Sequence, residues 1–447
     1  MTGFPIGLHQ PVEHDGPLPE AADVVIIGGG VIGVMSALFL ARKGQKVVLL
    51  EKGRIAGEQS SRNWGWIRQT GRDIDELPIA MEANSLWPQL QAELGEDLGL
   101  ARLGVAYLAE KPQSIERYET WLNLAKPYGV DSRILTPDQT QALLPGATKR
   151  YHGALHTPSD MKAEPWVAVP AFARAAVAAG VEIRENCAVR ALDLTAGRVG
   201  GVISERGRIR ADQVLVSGGA WSSLFLRQHG VNIPQLSVQA QVLATDPLPA
   251  LDLPAAGNDR LAFRRRADGG FTLAEGGWHR LFIGPDAFRH LWPYREQIKA
   301  HPFGASYHPA APAGFPDAWG TKRRWSPDEE TPFERMRVLD PKPVEARQRR
   351  TLAEFAKLFP ALGTPRIKAS WSGMIDAMPD IVPVVDHAPI DGLSICTGMC
   401  GHGFGIGPAF GRIMADLMTG GDVGHDLTRF RLSRFSDGSK MDMGPGL

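Results

Sequence analysis

The chain has 447 residues, 43% hydrophobic and 22% charged, a composition typical of a soluble globular enzyme of two or three domains. Lysine plus arginine and aspartate plus glutamate both total 49, so the formal net charge is zero, which argues against nucleic acid or an anionic membrane as a partner. Cys187, Cys396 and Cys400 are too few for a disulfide framework and lack the grouping of a zinc site, so we expect a cytoplasmic protein without a bound metal.

Residues 1–22 contain charged residues and prolines but neither the basic start nor the apolar core of a secretory signal, and we expect a flexible surface arm there. The next eighteen residues, Val24–Ala41, are uncharged and about as long as the shortest membrane span. Glycines interrupt them, however, and the solid apolar run Val24–Ile27 gives way to helical spacing from Val31 onward. This pattern predicts a buried strand, a turn and a helix.

The turn matches the pattern G-x-G-x-x-G at Gly28, Gly30 and Gly33. Gly28 permits a tight turn after the strand, Gly30 lets a pyrophosphate approach the backbone, and Gly33 lets helix and strand pack closely. The helix then begins at Val31 and Ile32, where unpaired N–H groups and the positive end of the helix dipole would face the phosphates.

A second predicted strand, residues 46–50, ends in Glu51 and Lys52, about twenty residues after the glycines. An acid in this position can accept hydrogen bonds from the adenosine ribose hydroxyls. An ordinary βαβ unit without a ligand is the alternative, but the order strand, glycine turn, helix, strand and acid favours a dinucleotide site. FAD-binding and NAD-binding proteins share this pattern of glycines and acid.

The polar stretch QSSRNWGWIRQ, residues 59–69, follows the acid closely. Here the sequence resembles the D-amino-acid oxidase superfamily of FAD enzymes, in which a Ser-rich loop runs along the pyrophosphate and ends in a glycine beside the flavin ring. The resemblance implies noncovalent FAD and a set of contacts from this loop: Gln59, Ser60, Ser61, Arg62, Asn63, Trp64, Gly65 and Trp66.

Three later segments resemble the same superfamily. Residues 178–192 read as a helix end and two strands, where the resemblance places the Val189 backbone against adenine. Residues 212–222 read as a buried strand that ends in glycines, with Gly219 and Trp221 near the pyrophosphate, although Trp221 could equally fill the core. The carboxy-terminal flavin loop is GHGFG, followed by a helical run over 411–417, and its residues are Gly401, His402, Gly403, Phe404 and Gly405. A histidine that only shapes the turn is the alternative for His402.

Residues 370–376 match the carboxy-terminal flavin region, in which Gly373 and Met374 are expected to contact the cofactor. Sarcosine-oxidase relatives attach the flavin through a cysteine near this region, and this stretch has none. Other relatives carry G-L-R-P here, with an arginine that clamps the substrate carboxylate, but this chain has Gly373-Met374-Ile375-Asp376. An amino-acid substrate would therefore need another guanidinium.

Candidate anchors are Arg68, after the flavin loop, and Arg324, with Arg335 and residues 264–266 as further arginines. Each of these could instead be an ordinary surface arginine. Trp371, beside the missing clamp, is expected to form either a wall for the substrate side chain or part of the core.

The resemblance implies an α/β fold. A Rossmann-like, glutathione-reductase-type FAD domain would comprise residues 23–69, 171–233 and 371–435, and an interleaved α+β substrate domain with an antiparallel sheet would comprise 70–170 and 234–370, followed by a tail, 436–447. Strands are expected at 236–244 and 271–274, joined through the turn signal at 268–270. Residues 285–320 are expected to form surface loops, as a lid or a plain insertion.

The loop at 59–69 and the segment around residue 371 together look most like bacterial FAD-dependent L-amino-acid oxidases and deaminases. The resemblance implies hydride transfer from substrate to flavin N5, then hydrolysis of the imine to a 2-oxo acid and ammonia, with dioxygen as acceptor and hydrogen peroxide as product. Oxidation of D-amino acids or secondary amines, and a noncatalytic flavoprotein adaptor, stay open as alternatives. A homodimer is compatible with the sequence.

Overall fold

The computed structural model describes residues 3–300 and 305–444. The strands in this part of the chain are β1 Val24–Ile27, β2 Val47–Leu50, β3 Trp66–Ile67, β4 Val105–Leu108, β5 Arg133–Leu135, β6 Ala154–Thr157, β7 Met161–Lys162, β8 Glu182–Arg184, β9 Val189–Thr195, β10 Arg198–Ser204, β11 Gly207–Arg210, β12 Gln213–Val216, β13 Leu236–Thr245, β14 Ala255–Gly257, β15 Ala262–Arg265, β16 Phe271–Ala274, β17 Arg280–Phe282, β18 Ser306–His308, β19 Ile367–Ala377, β20 Val384–His387 and β21 Leu393–Thr397.

The α-helices of the same described ranges are α1 Val31–Arg42, α2 Gln59–Arg62, α3 Leu77–Leu94, α4 Pro112–Ala125, α5 Pro137–Leu143, α6 Pro165–Ala178, α7 Ser222–Gln228, α8 Pro285–Arg289, α9 Arg295–Ala300, α10 Pro332–Arg335, α11 Glu345–Leu358 and α12 Gly403–Thr419. None of the described helices is long and apolar enough to cross a membrane.

The predicted dinucleotide fold forms around a sheet in the order β20-β21-β12-β1-β2-β8. Every neighbouring pair is parallel except β20 with β21. The central strand Val24–Ile27 is buried because helices α1, α12 and α6 cover one face and apolar residues of β9, β10 and α7 cover the other. Strands buried on both faces need continuous apolar runs, which explains the pattern in the sequence.

Helices α1 and α12 cross at very short distance. A Cβ added to Gly411 of α12 would lie 2.4 Å from the Met35 Cβ of α1, so the crossing requires glycine at that position.

A larger sheet carries the other half of the molecule, in the order β18-β17-β13-β16-β15-β14-β4-β6-β5, with β19 paired to β13. Most of its pairs are antiparallel, as expected for the substrate domain, but β14 with β4 and β17 with β18 are parallel. Strand β13 is predicted within one residue of its observed end, and β16 is predicted correctly.

Two of the expected domain boundaries fall inside secondary-structure elements. The boundary between residues 170 and 171 falls inside α6, which packs on α1. The boundary between 370 and 371 falls inside β19, whose residues 367–377 pair with β13 in the larger sheet. We therefore propose that the nucleotide-binding half takes all of α6 and that the whole of β19 belongs to the substrate half.

The amino-terminal segment is not the free arm that its composition suggests. Ile6 is 7% exposed and its N–H donates to the Ser61 Oγ at 3.2 Å. The ring of Phe4 stacks on Trp166 at 4.4 Å between centroids and meets the edge of Trp371 at 5.7 Å. Aromatic packing thus holds this segment against α6 and β19, and a hydrogen bond joins it to Ser61 in α2. Residues 1–2, and residues 445–447 of the predicted tail, lie outside the described residues.

Candidate functional site

A cavity of about 850 Å³ is lined by residues of both large sheets. It brings together most of the residues that the sequence predicts for the site. These are Gly28, Gly30, Val31, Ile32, Glu51, Lys52, Gln59, Ser60, Arg62, Asn63, Trp64, Trp66, Arg68, Val189, Gly219, Trp221, Gly373, Gly401, His402, Gly403, Phe404 and Gly405.

Four predicted cofactor residues support this lining from behind. A Cβ on Gly33 would lie 2.0 Å from the Gly28 carbonyl oxygen, so Gly33 packs helix against turn, as expected. Ser61 is fully buried, and Met374 is 4% exposed in the core. Gly65 has a φ of +74°, and a Cβ there would meet the Ala163 carbonyl oxygen at 2.4 Å. These positions shape the loops rather than line the cavity.

At one end of the cavity the glycine turn and the start of α1 form a backbone cradle at the position where the glycines predict a phosphate. Gly28 has a φ of +111°, the N-cap residue Gly30 has no side chain to cap helix α1, and the first turn of α1 contains no acid. The Val31 N–H donates to the Ser60 Oγ at 2.9 Å, and a Cβ on Gly30 would lie 3.1 Å from that oxygen. The helix end is therefore suited to bind an anion.

Glu51 closes the same end of the cavity. Its carboxylate accepts from the Gly29 N–H and the Gly53 N–H, both at 2.7 Å. Burial raises the pKa of Glu51 to about 7, while the Lys52 charge and the two backbone donors oppose the shift. A half-buried carboxylate beside the cradle can accept further hydrogen bonds, as the ribose hydroxyls of a dinucleotide would require.

The predicted contacts Lys52 and Trp221 meet at Glu58. The Glu58 carboxylate accepts from the Lys52 Nζ at 2.6 Å, from the Trp221 indole at 3.0 Å and from the Leu339 N–H at 2.9 Å. The Lys52 Nζ also lies 4.6 Å from the centre of the Trp221 ring. Trp221 therefore both packs in the core and lines the cavity, so the two alternatives for it are combined.

The carboxy-terminal loop forms the other wall. Helix α12 begins at Gly403, inside the GHGFG motif and earlier than the predicted run over 411–417, so its positive end lies at the cavity. Asp376 accepts from the Gly398 and Met399 N–H groups at 2.8 and 3.2 Å, and burial raises its pKa.

Several buried polar atoms along this wall have no hydrogen-bond partner in the described part of the chain. They are Trp66 Nε1, Gln241 Nε2, Asp376 Oδ1 and His402 Nδ1. Buried polar groups are normally satisfied, so this set fits a polar ring system such as a flavin, and the cradle and Glu51 fit the dinucleotide part of FAD.

Arg68 lies where the sequence expects an anchor. It lines the cavity, donates to the Thr70 carbonyl oxygen, and places its guanidinium carbon 5.4 Å from the centre of the Tyr107 ring. The other predicted anchors do not lie in this cavity. Arg324 lines a separate surface groove, and Arg335 is exposed and pairs with Glu330 at 3.0 Å. The expectation that Arg324 faces the substrate is therefore not supported.

The side chains of Arg264 and Trp371 are both buried in the core. The Arg264 guanidinium is 1% exposed and pairs with Glu164 through two hydrogen bonds of 2.9 Å. The Trp371 indole donates to the Arg62 carbonyl oxygen at 3.0 Å, and its ring is 2% exposed. Trp371 is thus part of the packing between the amino-terminal segment and β19 and does not line the cavity.

The sequence reasoning missed Arg72 and Glu76, which lie behind Arg68. Arg72 lines the cavity and is 5% exposed, and Glu76 is fully buried 3.8 Å from its Nη1. Burial and the neighbouring Arg68 charge lower the pKa of Arg72 to about 10, and burial raises that of Glu76 to about 6. The available signal was the four-residue spacing of an arginine and an acid just after the flavin loop.

Comparison with known proteins agrees with this geometry. A family model described as FAD dependent oxidoreductase matches residues 23–417. Mitochondrial sarcosine dehydrogenase of Homo sapiens is 30% identical over 243 residues, which are 53% of this chain and 26% of that protein. The chain therefore spans about a quarter of the length of this curated relative.

Two further proteins match along nearly their whole length. The sarcosine oxidase subunit beta of Arthrobacter sp is 27% identical over 437 residues, which cover 95% of this chain and 94% of that one. The solved structure of L-amino acid deaminase from Proteus myxofaciens in complex with anthranilate has a TM-score of 0.89 at 28% identity, with 95% of this chain and 96% of that chain covered.

Proposed function

Since the chain belongs to the FAD dependent oxidoreductase family, whose members use FAD, we propose that it oxidises the C–N bond of an L-amino acid. Water hydrolyses the resulting imino acid to a 2-oxo acid and ammonia, and dioxygen takes up the two electrons and two protons as hydrogen peroxide. The single observation that carries the proposal is a continuous cavity from the phosphate cradle at Gly28–Gly30 to the guanidinium of Arg68. This arrangement provides for a dinucleotide at one end and an anionic substrate at the other.

The fold similarity to the L-amino acid deaminase of Proteus myxofaciens supports an amino-acid substrate. FAD, when bound, supplies the hydride acceptor, and the protein contributes position and charge. Arg68 binds the substrate carboxylate and so fixes the Cα–H bond, because hydride transfer requires near-contact geometry. The aromatic rings of Trp66 and Tyr107 line the cavity beside Arg68 and limit the access of water to the substrate.

The cofactor is held without a covalent bond in this proposal. Cys400 is the cysteine nearest to the GHGFG loop, and its thiol donates to the Gly398 carbonyl oxygen at 3.1 Å. Burial raises the pKa of Cys400 well above its ordinary value, so the thiolate that would attack a flavin is disfavoured. Acid precipitation should release all of the FAD into the supernatant, and flavin retained in the pellet would contradict noncovalent binding.

Secondary amines are the second candidate, favoured by the match to sarcosine oxidase subunit beta along 95% of the chain. A substrate such as an N-methyl amino acid keeps the carboxylate, so the same guanidinium would bind it. The two candidates differ in the amine alone.

Anaerobic reduction of the FAD-loaded enzyme distinguishes them. We expect L-amino acids to bleach the flavin absorbance and peroxide to appear when air is readmitted. Bleaching only by D-amino acids or by N-methyl amino acids would transfer the assignment to those substrates. Absence of bleaching by any amino acid or amine would refute catalysis of this class and favour a noncatalytic flavoprotein.

A further inference from the structure

Two arginines lie on one wall of the cavity, four residues apart in the chain. The Arg68 guanidinium is fixed by its bond to the Thr70 carbonyl oxygen and by the Tyr107 ring. The Arg72 side chain is 5% exposed, and its carbonyl oxygen accepts from the Trp121 indole at 2.8 Å, which fixes the backbone. Two like charges on one cavity wall repel each other, and an anion bound between them would reduce this repulsion.

The hydrogen-bond donors of the Arg72 guanidinium are also incompletely paired. Its Nη1 has no hydrogen-bond partner within the described ranges. The acids near it do not complete its donors, because Glu76 lies 3.8 Å away and both oxygens of Asp160 accept from Gln69 or Thr70. A buried guanidinium that lines a cavity and has an unpaired donor is suited to bind an anion.

Glu76 lies behind this arginine. It is 0% exposed, neither carboxylate oxygen accepts a hydrogen bond in the described part of the chain, and one oxygen is 3.5 Å from the His402 Nδ1. One carboxylate therefore lies between the Arg72 guanidinium and the histidine of the GHGFG loop. Both contacts are slightly longer than a hydrogen bond, so a small shift on ligand binding would close them.

We propose that Arg72 is the second guanidinium of the substrate anchor, with Arg68 the first, and that Glu76 is the positioning residue that orients it. The inference rests on the proposed function, because it names the group that would recognise a substrate carboxylate. One guanidinium can hold both carboxylate oxygens through two hydrogen bonds, and a second guanidinium adds further charged donors to the same oxygens. The site then selects carboxylate-bearing amines over amines that lack a carboxylate.

Binding to the FAD-loaded enzyme, followed through the flavin absorbance without turnover, tests the anchor. The ligands are benzoate and its neutral isostere benzamide. In Arg72→Ala we expect benzoate affinity to fall by at least about 30-fold, the loss typical of a truncated buried charge pair, while benzamide affinity stays the same. Arg72→Lys should show an intermediate loss because it keeps the charge and loses the fork. Arg324→Ala, in the separate surface groove, is the matched control and should bind both ligands as wild type does.

The Glu76→Gln variant distinguishes an orienting role of Glu76 from a purely electrostatic effect of its negative charge. Loss of a negative charge beside an anion site would by itself strengthen benzoate binding. If Glu76 orients Arg72, the variant instead binds benzoate more weakly and shows an altered flavin difference spectrum. Tighter binding would overturn the positioning role, and wild-type benzoate affinity in Arg72→Ala would overturn the anchor.

The proposed function can fail separately. An enzyme that no amino acid reduces, yet binds benzoate through Arg72, keeps the anchor and loses the oxidase assignment. An enzyme that oxidises L-amino acids with an unchanged KM in Arg72→Ala keeps the oxidase assignment and loses the anchor.

Discussion

Replacement of Glu164 by glutamine should destabilise both the fold and the cofactor site. The Arg264 and Glu164 side chains are 1% and 5% exposed, and their two bonds of 2.9 Å remove both charges from water. Burial by itself would raise the pKa of Glu164, but the Arg264 guanidinium outweighs it and holds the pKa below the usual range. The variant keeps one carbonyl oxygen and leaves a buried arginine without its counter-charge.

The expected loss in the free energy of unfolding is about 3–5 kcal/mol, as found when one partner of a buried ion pair is removed. Urea unfolding of the apoprotein, followed by tryptophan fluorescence, measures it. Glu330→Gln is the matched control, because its pair with Arg335 is exposed, and it should change the stability by no more than about 0.5 kcal/mol.

The same variant should weaken FAD binding. The Arg264 Nε donates to the Trp64 carbonyl oxygen, next to Gly65, whose φ is +74°. Without the Glu164 charge, the Arg264 guanidinium would lose its bond to the Trp64 carbonyl oxygen as it turns to another partner. This turn of the predicted flavin loop would then be less well fixed. If Glu164→Gln loses no more stability than Glu330→Gln and retains FAD equally well, the reasoning that this pair holds the loop is refuted.

Three other changes test separate features. Gly33→Ala should lose FAD on gel filtration, since its Cβ would lie 2.0 Å from the Gly28 carbonyl oxygen; full retention would contradict the close packing. Trp371→Phe should cost about 1–3 kcal/mol of stability, because it leaves the Arg62 carbonyl oxygen unpaired. The order of substrate preference should stay unchanged, and an altered order would indicate that Trp371 contacts the substrate. Burial raises the pKa of Glu76 to about 6, so the carboxyl group holds its proton more tightly in the folded than in the unfolded state. The free energy of unfolding should therefore fall as the pH rises from about 4.5 to 6, by at most about 2 kcal/mol. Urea midpoints of the apoprotein across this range should fall less in Glu76→Gln than in wild type, and an equal fall would argue against the buried carboxylate.

Local pattern was sufficient for the nucleotide-binding half. Strand Val24–Ile27 matches its predicted bounds, because a strand covered on both faces has to be apolar at every position. Gly28 and Glu51 were predicted from the geometry that a dinucleotide imposes on a short segment. The amino-terminal segment shows the opposite case. Its prolines and charges predicted a flexible arm. In the structure, Phe4 packs on Trp166 and Trp371, which come from distant parts of the chain.

The sequence by itself predicted where a dinucleotide would bind, since the glycine turn, the helix start and the acid act through backbone geometry within about thirty residues. Only the tertiary structure decided which arginines line the cavity. Arg264 is neutralised by Glu164, a hundred residues away, and Arg324 lines another groove. Arg72 lines the cavity, and its Nη1 has no hydrogen-bond partner within residues 3–300 and 305–444. The role of a guanidinium depends on the partners that folding brings to it, and the residue type alone cannot specify those partners.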